Sequence, residues 1–280
     1  MKEYKEMLLT GERAMYNTHD ASFVDTTFAD GESPLKESSD IKLNNCIFKW
    51  KYPLWYCKNI EVINTTWLET ARSGIWYTDN ITIKNSFIEA PKQFRRSKNI
   101  TIENTMIPNA EEFLWSCDKI SLKNVQAKGH YFGMNSTNIK IDNFTLSGNY
   151  AFDGAKNIEI RNARLNSKDS FWNCENVTIY DSTIVGEYLG WNSKNITLIN
   201  CTIDSNQGMC YIDGIKMINC KLLNTDLSFE LCKDVDAIIN SGIDSVKNPI
   251  NGRIEAKNIK EIILDKEMID PNKTTIITKE

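Results

Sequence analysis

A chain of 280 residues, 41% hydrophobic and 25% charged, carries enough apolar material for a sizeable core. Its net charge of −4 and pI near 5.5 leave no basic footprint for nucleic acid or an anionic membrane surface, and no apolar run is long enough to span a bilayer. Eight cysteines with no CxxC pair and no Cys/His ligand spacing argue against a metal site, and with an N-terminal apolar patch broken by charges they suit a cytoplasmic protein.

Residues 1–13, whose only apolar cluster is Met7, Leu8 and Leu9, are expected to cap the structure that follows. From residue 14 the chain repeats. KNITIENTMI, residues 98–107, has relatives in KNIEVINTTW from Lys58, DNITIKNSFI from Asp79, KNIEIRNARL from Lys156 and KNITLINCTI from Lys194. With the first isoleucine as position zero, the series runs Ile41, Ile60, Ile81, Ile100, Ile120, Ile139, Ile158, Val177, Ile196, Ile215 and Val235, in steps of 19 to 21 residues. Ala21 extends it backwards, and Ile259 extends it forwards after a step of 24. About 12–13 units therefore fill residues 14–265 as one domain with no linker.

Inside each unit, apolar residues at zero and +2 show strand alternation. Asparagine follows at +4, from Asn45 to Asn219, with Asp181 standing in once. Asparagine tolerates the left-handed conformation of a sharp bend, and stacked amides can hydrogen-bond from coil to coil. An apolar residue at +7 marks a second short strand. A third is expected before the motif, where Leu54, Ile75, Phe94, Leu114, Phe152, Phe171, Met209 and Phe229 stand at −6. Small residues fill +5 and −3, including Cys46, Cys201 and Cys220 in the former and Cys57, Cys117, Cys174 and Cys232 in the latter. These cysteines read as packing residues.

Three short strands per coil, an asparagine ladder and no helical period predict an all-β, single-domain parallel β-helix solenoid. The pattern resembles the right-handed β-helices of the pectin-lyase-like superfamily, and also short bacterial cytoplasmic β-helix proteins of unknown function. Right-handed crossover is the expected hand for parallel strands. The resemblance implies a substrate cleft along the outward face of the first strand. It does not supply catalytic residues: there is no DD pair, and Arg95-Arg96 runs into Ser97-Lys98 without the proline of the lyase motif.

Position −5 should point outward, because its neighbour at −6 points inward. It holds Trp55, Trp76, Arg95, Trp115, Asp153, Trp172, Trp191 and Glu230, with five of the seven tryptophans. Exposed flat rings one coil apart suit the faces of sugar rings, so the column is a candidate oligosaccharide-binding row. Alternatively, the long third turn, rich in tyrosine and phenylalanine, folds over it as a second small core. Asp153, with Asp169 and His130 in adjacent coils, could do acid/base work. An enzyme built on this row would be a glycoside hydrolase or resemble a polysaccharide lyase. The other reading is a non-catalytic scaffold or protein-interaction β-helix. No metal or cofactor is expected. Residues 266–280, with the strand-like TTIIT, form a tail or second cap, and an open solenoid end invites a homodimer.

Overall fold

The alternation at zero and +2 produces the burial that period-two patterning dictates. Ile41 and Leu43, Ile60 and Val62, and Ile100 and Ile102 are buried, while Lys42, Glu61 and Thr101 between them face outward. In the computed structural model, which describes residues 1–279, these segments are parallel strands stacked in register. The chain comprises two compact units, the first Met1–Thr145 and the second beginning at Leu146, and each is an all-β parallel solenoid. In the first, Ala21 pairs with Ile41, Ile41 with Ile60, Ile60 with Ile81, Ile81 with Ile100 and Ile100 with Ile120. In the second, Ile158 pairs with Val177, Val177 with Ile196, Ile196 with Ile215 and Ile215 with Val235.

Paired strands mark about fifteen coils, more than the repeat suggested, because both ends take part. Lys2–Lys5 pairs with His19–Val24, and Leu8–Leu9 with Thr27–Phe28, so residues 1–13 contain a first coil. Thr274–Thr278 pairs with Gly252–Ala256, which pairs in turn with Lys233–Ile239. Ile259 is not a zero position: it pairs with Ile243 in a separate two-stranded sheet of Gly242–Lys247 and Asn258–Ile263. The zero position of that coil is Gly252, opposite Val235, where no apolar side chain advertises it. Among the described residues there is no α-helix, only one 3₁₀ turn at Pro271–Lys273. Among the described residues no helix is long and apolar enough to cross a membrane.

The corners explain the asparagines. Each coil bends at residues with φ near +50 to +60°: four such corners recur along the repeat, and from the coil at Ile100 onward a fifth joins them at −6, as at Phe94, Leu114, Phe152 and Phe171. One lies at +4 (Asn45, Asn64, Asn85, Asn104, Asn124), one at −1 (Asn59, Asn80, Asn99), one at −4 (Tyr56, Tyr77, Arg96) and one at −8 (Tyr52, Ser73, Lys92). The corners at −8 and −4 leave only three residues between them, too few for a strand, so the expected third strand is a turn. Isolated bridges at Trp76, Arg95 and Trp115 are all the pairing it retains in the first unit.

The +4 ladder runs from amide to amide: Asn104 donates to Asn85 at 3.1 Å, Asn124 to Asn104 at 2.8 Å and Asn143 to Asn124 at 2.9 Å. A second ladder stands at −1, where Asn80 donates to Asn59 at 2.9 Å and Asn99 to Asn80 at 2.7 Å. In the second unit both recur, with Asn219 donating to Asn200 at 2.7 Å and Asn195 to Asn176 at 3.0 Å. The interior is filled by columns of like side chains. Phe28 stacks on Phe48 at 4.7 Å, and Trp67 follows at 5.2 Å. All eight cysteines are free and buried. Burial pushes the Cys57 and Cys117 thiols up to about 12.

Candidate functional site: the tryptophan row

The side chain at −6 turns into the core, with Leu54, Ile75, Phe94 and Leu114 fully buried, and the next residue is left half-buried on the outside. In the first unit this places Trp55, Trp76, Arg95 and Trp115 in one stack. The Trp55 and Trp76 rings lie 5.0 Å apart and nearly parallel, at 7°. Arg95 occupies the place of a ring: its guanidinium lies 4.7 Å from the Trp76 ring and 5.0 Å from that of Trp115. Its Nη2 also meets Glu112 Oε2 at 2.8 Å, and Glu112 takes Lys92 Nζ on its other oxygen at 2.9 Å. The indole N–H groups are used as well. Trp55 Nε1 donates to the carbonyl of Ser73, and Trp76 Nε1 to that of Lys92 at 3.0 Å.

The second unit repeats the arrangement. Trp172 and Trp191 stack at 5.6 Å and 12°, donating to the carbonyls of Tyr188 at 2.7 Å and Gln207 at 3.0 Å. Turn tyrosines flank the rings: Tyr52 lies 4.6 Å from Trp55, Tyr188 5.3 Å from Trp191, and Tyr211 meets Trp191 edge-on at 5.2 Å. The facing rings of Trp55 and Trp76, and of Trp172 and Trp191, are therefore closed against one another along the column, and each of these side chains is half-buried. Further along, Glu230 is paired with Lys247 at 2.9 Å.

The candidate acid/base residues have separate surroundings. Asp153 Oδ1 accepts from Asn173 Nδ2 at 2.8 Å, and Asn173 Oδ1 accepts from Asn192 at 2.8 Å, so Asp153 ends a short amide column. Asp169 sits at a left-handed corner, with φ 56°, and is only 4% exposed. Burial pushes its carboxyl above the usual carboxylate range, against the pull of Lys168 and a hydrogen bond from Tyr150. The two aspartates occupy different columns, −5 and −8, and no hydrogen bond joins them. His130 belongs to the first unit, is exposed, and its backbone N–H donates to Glu111 Oε2 at 3.0 Å. Among the described residues no group of three or more His, Cys, Asp and Glu side chains is placed to hold a metal ion.

Two residues outside the row went unnoticed in the sequence. Trp50 is the most exposed tryptophan, at 38%, and Arg72 stands in the coil that follows it. The only signal was the 21-residue step from Ile60 to Ile81, the longest between Ile41 and Val235.

Solved structures similar to this chain include an adhesin, an epimerase module and a pentapeptide repeat protein. The surface adhesin PfbA of Streptococcus pneumoniae is 13% identical over 86% of this chain and 76% of its own, with a TM-score of 0.41. The A-module of the mannuronan C-5 epimerase AlgE4 of Azotobacter vinelandii is 10% identical over 98% of this chain and 86% of its own, with a TM-score of 0.30. The pentapeptide repeat protein HetL of Nostoc sp. strain PCC 7120 is 8% identical over 79% and 92%, also with a TM-score of 0.30. No curated protein matches the sequence. One family model does, and it spans residues 2–277, from the strand that opens the first coil into the strand that closes the last; the chain thus belongs to the family described as "Protein of unknown function (DUF3737)".

Proposed function

We propose that this protein is a non-catalytic parallel β-solenoid, a scaffold whose turns present binding surface and whose tryptophan row is a structural spine. The observation that carries this reading is the face-to-face stacking of Trp55 on Trp76, continued by Arg95 between Trp76 and Trp115. A sugar ring needs an open aromatic face, and a face about 5 Å from a parallel neighbour is closed to it. Free, buried thiols throughout suit a reducing, cytoplasmic setting.

The competing reading keeps the row as a carbohydrate cleft, as kinship with pectin-lyase-like β-helices would imply, with Asp153 as the reactive group. It rests on the half-exposed ring rims and on the partial exposure of Asp153. Replacing Trp76 by alanine separates the two. On the scaffold reading it removes two stacking contacts and an N–H hydrogen bond, lowering stability by about 3 kcal/mol in a urea melt. No neutral or acidic oligosaccharide should then perturb the tryptophan fluorescence of the parent protein. The reading fails if an oligosaccharide binds the parent and is lost on Trp76→Ala at unchanged stability, or if turnover is found that Asp153→Asn abolishes.

A further inference from the structure

The hollow beside Trp50 lies away from the row and is made by a change in coil length. In the 19-residue coil from Ile81, three residues separate buried Ile88 from the corner at Lys92; in the coil from Ile60, five separate Trp67 from the corner at Ser73. The two additional residues push Glu69, Thr70 and Arg72 outward. With Trp50 and Lys51 of the coil before and Pro91 of the coil after, they line a hollow of about 370 Å³, within the size range of small-molecule sites.

The bulge is fixed from below. Ala71 donates its N–H to Leu68 at 2.8 Å, and its carbonyl accepts from Gln93 Nε2 at 3.0 Å, an amide with no solvent exposure. Gln93 Nε2 also reaches the carbonyl of Pro91 at 3.3 Å, tying two walls of the hollow together. Gly74 lies close beside it: a Cβ there would come 2.2 Å from Gln93 Oε1 and would have to displace that amide. The Thr70 hydroxyl donates to the carbonyl of Lys49, closing the bulge against the preceding coil. The backbone of the rim is therefore held in place before any ligand arrives, which lowers the cost of binding there.

Its chemistry is mixed in a specific way. Among the described residues the Arg72 guanidinium has no hydrogen-bond or ion-pair partner, and neither has the Glu69 carboxylate. Lys51 Nζ is paired with Glu32 at 2.7 Å and lies 5.9 Å from the Trp50 ring. One free guanidinium fork, a second cation nearby, an exposed indole and a free acceptor thus share one hollow. We propose that it binds a phosphomonoester carried on a ring. The phosphate would engage Arg72 through its paired N–H donors, with Lys51, held by Glu32, beside it. The ring would lie against Trp50, and Glu69 would accept hydrogen bonds from ring hydroxyls. Nucleoside monophosphates and sugar phosphates share this chemistry.

Calorimetric titration of the full chain with AMP, glucose 6-phosphate and inorganic phosphate tests it. A ring-bearing phosphomonoester should bind at least tenfold tighter than inorganic phosphate. Preference for AMP identifies a nucleotide ligand, and preference for glucose 6-phosphate a sugar phosphate; either supports the site. Arg72→Ala should weaken binding tenfold or more, and Trp50→Ala should erase the preference over inorganic phosphate. Arg72 is exposed and unpaired, so Arg72→Ala should melt with the parent, and the comparison with inorganic phosphate isolates the ring contact of Trp50 from any change in its stability. Equal affinity for all three compounds, no binding by any of them, or binding indifferent to Arg72→Ala would overturn the proposal.

Discussion

Asn104 shows how much one position of the repeat carries. Its backbone is left-handed, with φ 50°, its amide donates to Asn85, and its carbonyl oxygen accepts from Asn124. Alanine in its place must adopt a conformation costing roughly 1 kcal/mol or more, and loses two exposed amide bonds worth about 0.5 kcal/mol each. Asn104→Ala should therefore destabilise by about 2 kcal/mol in urea, and Asn104→Gly, free at that φ, by visibly less. Asp118 makes a different contribution at the same scale. The Thr137 hydroxyl at 2.6 Å and the Asn138 amide at 2.7 Å hold its carboxyl below the usual range. Its stabilisation is complete above the unfolded-state pKa and is lost as pH falls through the lower folded value. The gap in melting temperature between Asp118→Asn and the parent should therefore hold from neutral pH down to the ordinary carboxylate range and close only as pH falls below it. The +4 corner was legible because left-handed geometry selects asparagine. The corners at −4 and −8 were not: tyrosine, arginine and lysine occupy them, kept there by hydrogen bonds such as Tyr56 N–H to the Trp76 carbonyl at 2.9 Å.

At the scale of the element, the unit of packing is the column. Strands stacked in register place equivalent residues about 4.8 Å apart, which is also a ring-stacking distance, so like side chains become each other's neighbours. That geometry makes Trp55 and Trp76 partners. The sequence disclosed the phase of the row, outward at −5 with −6 inward, because phase follows from alternation. It did not disclose the direction of the ring planes, which depends on the turn conformation that replaced the third strand. The cysteine columns were read correctly as packing, and they allow a direct check. Burial raises Cys57, Cys117 and Cys210 to about 12, leaving almost no thiolate near neutral pH. A maleimide should leave the eight thiols of the native protein unlabelled and modify them in denaturant. Rapid native labelling would contradict the packing described for these columns.

At the scale of the molecule, the first and the last strand of the chain differ. Lys2–Lys5 carries Lys2, Glu3 and Lys5, charges of the kind that discourage edge-to-edge pairing. Thr274–Thr278 has no charge, and its outer edge has no strand partner among the described residues. Ile262 and Met268 are exposed near it in sequence, at 45% and 54%. We propose that a homodimer could form through this edge. Sedimentation velocity should show concentration-dependent dimer, and Ile277→Lys should return it to monomer; a parent protein that sediments only as monomer removes the expectation.

One address in each coil is open to editing. Between the apolar residue at +7 and the corner at −8, the chain runs three residues in one coil and five in another without disturbing the register of the strands on either side. A residue inserted within a strand would instead turn the side chains that follow it in that strand to the opposite face. Lengthening a flexible loop costs only about 0.6 kcal/mol per doubling, so this one stretch can acquire or discard features at little expense to folding. The bulge at Glu69–Arg72 is one such acquisition, and new recognition surfaces grafted onto this solenoid belong at the same place in its other coils.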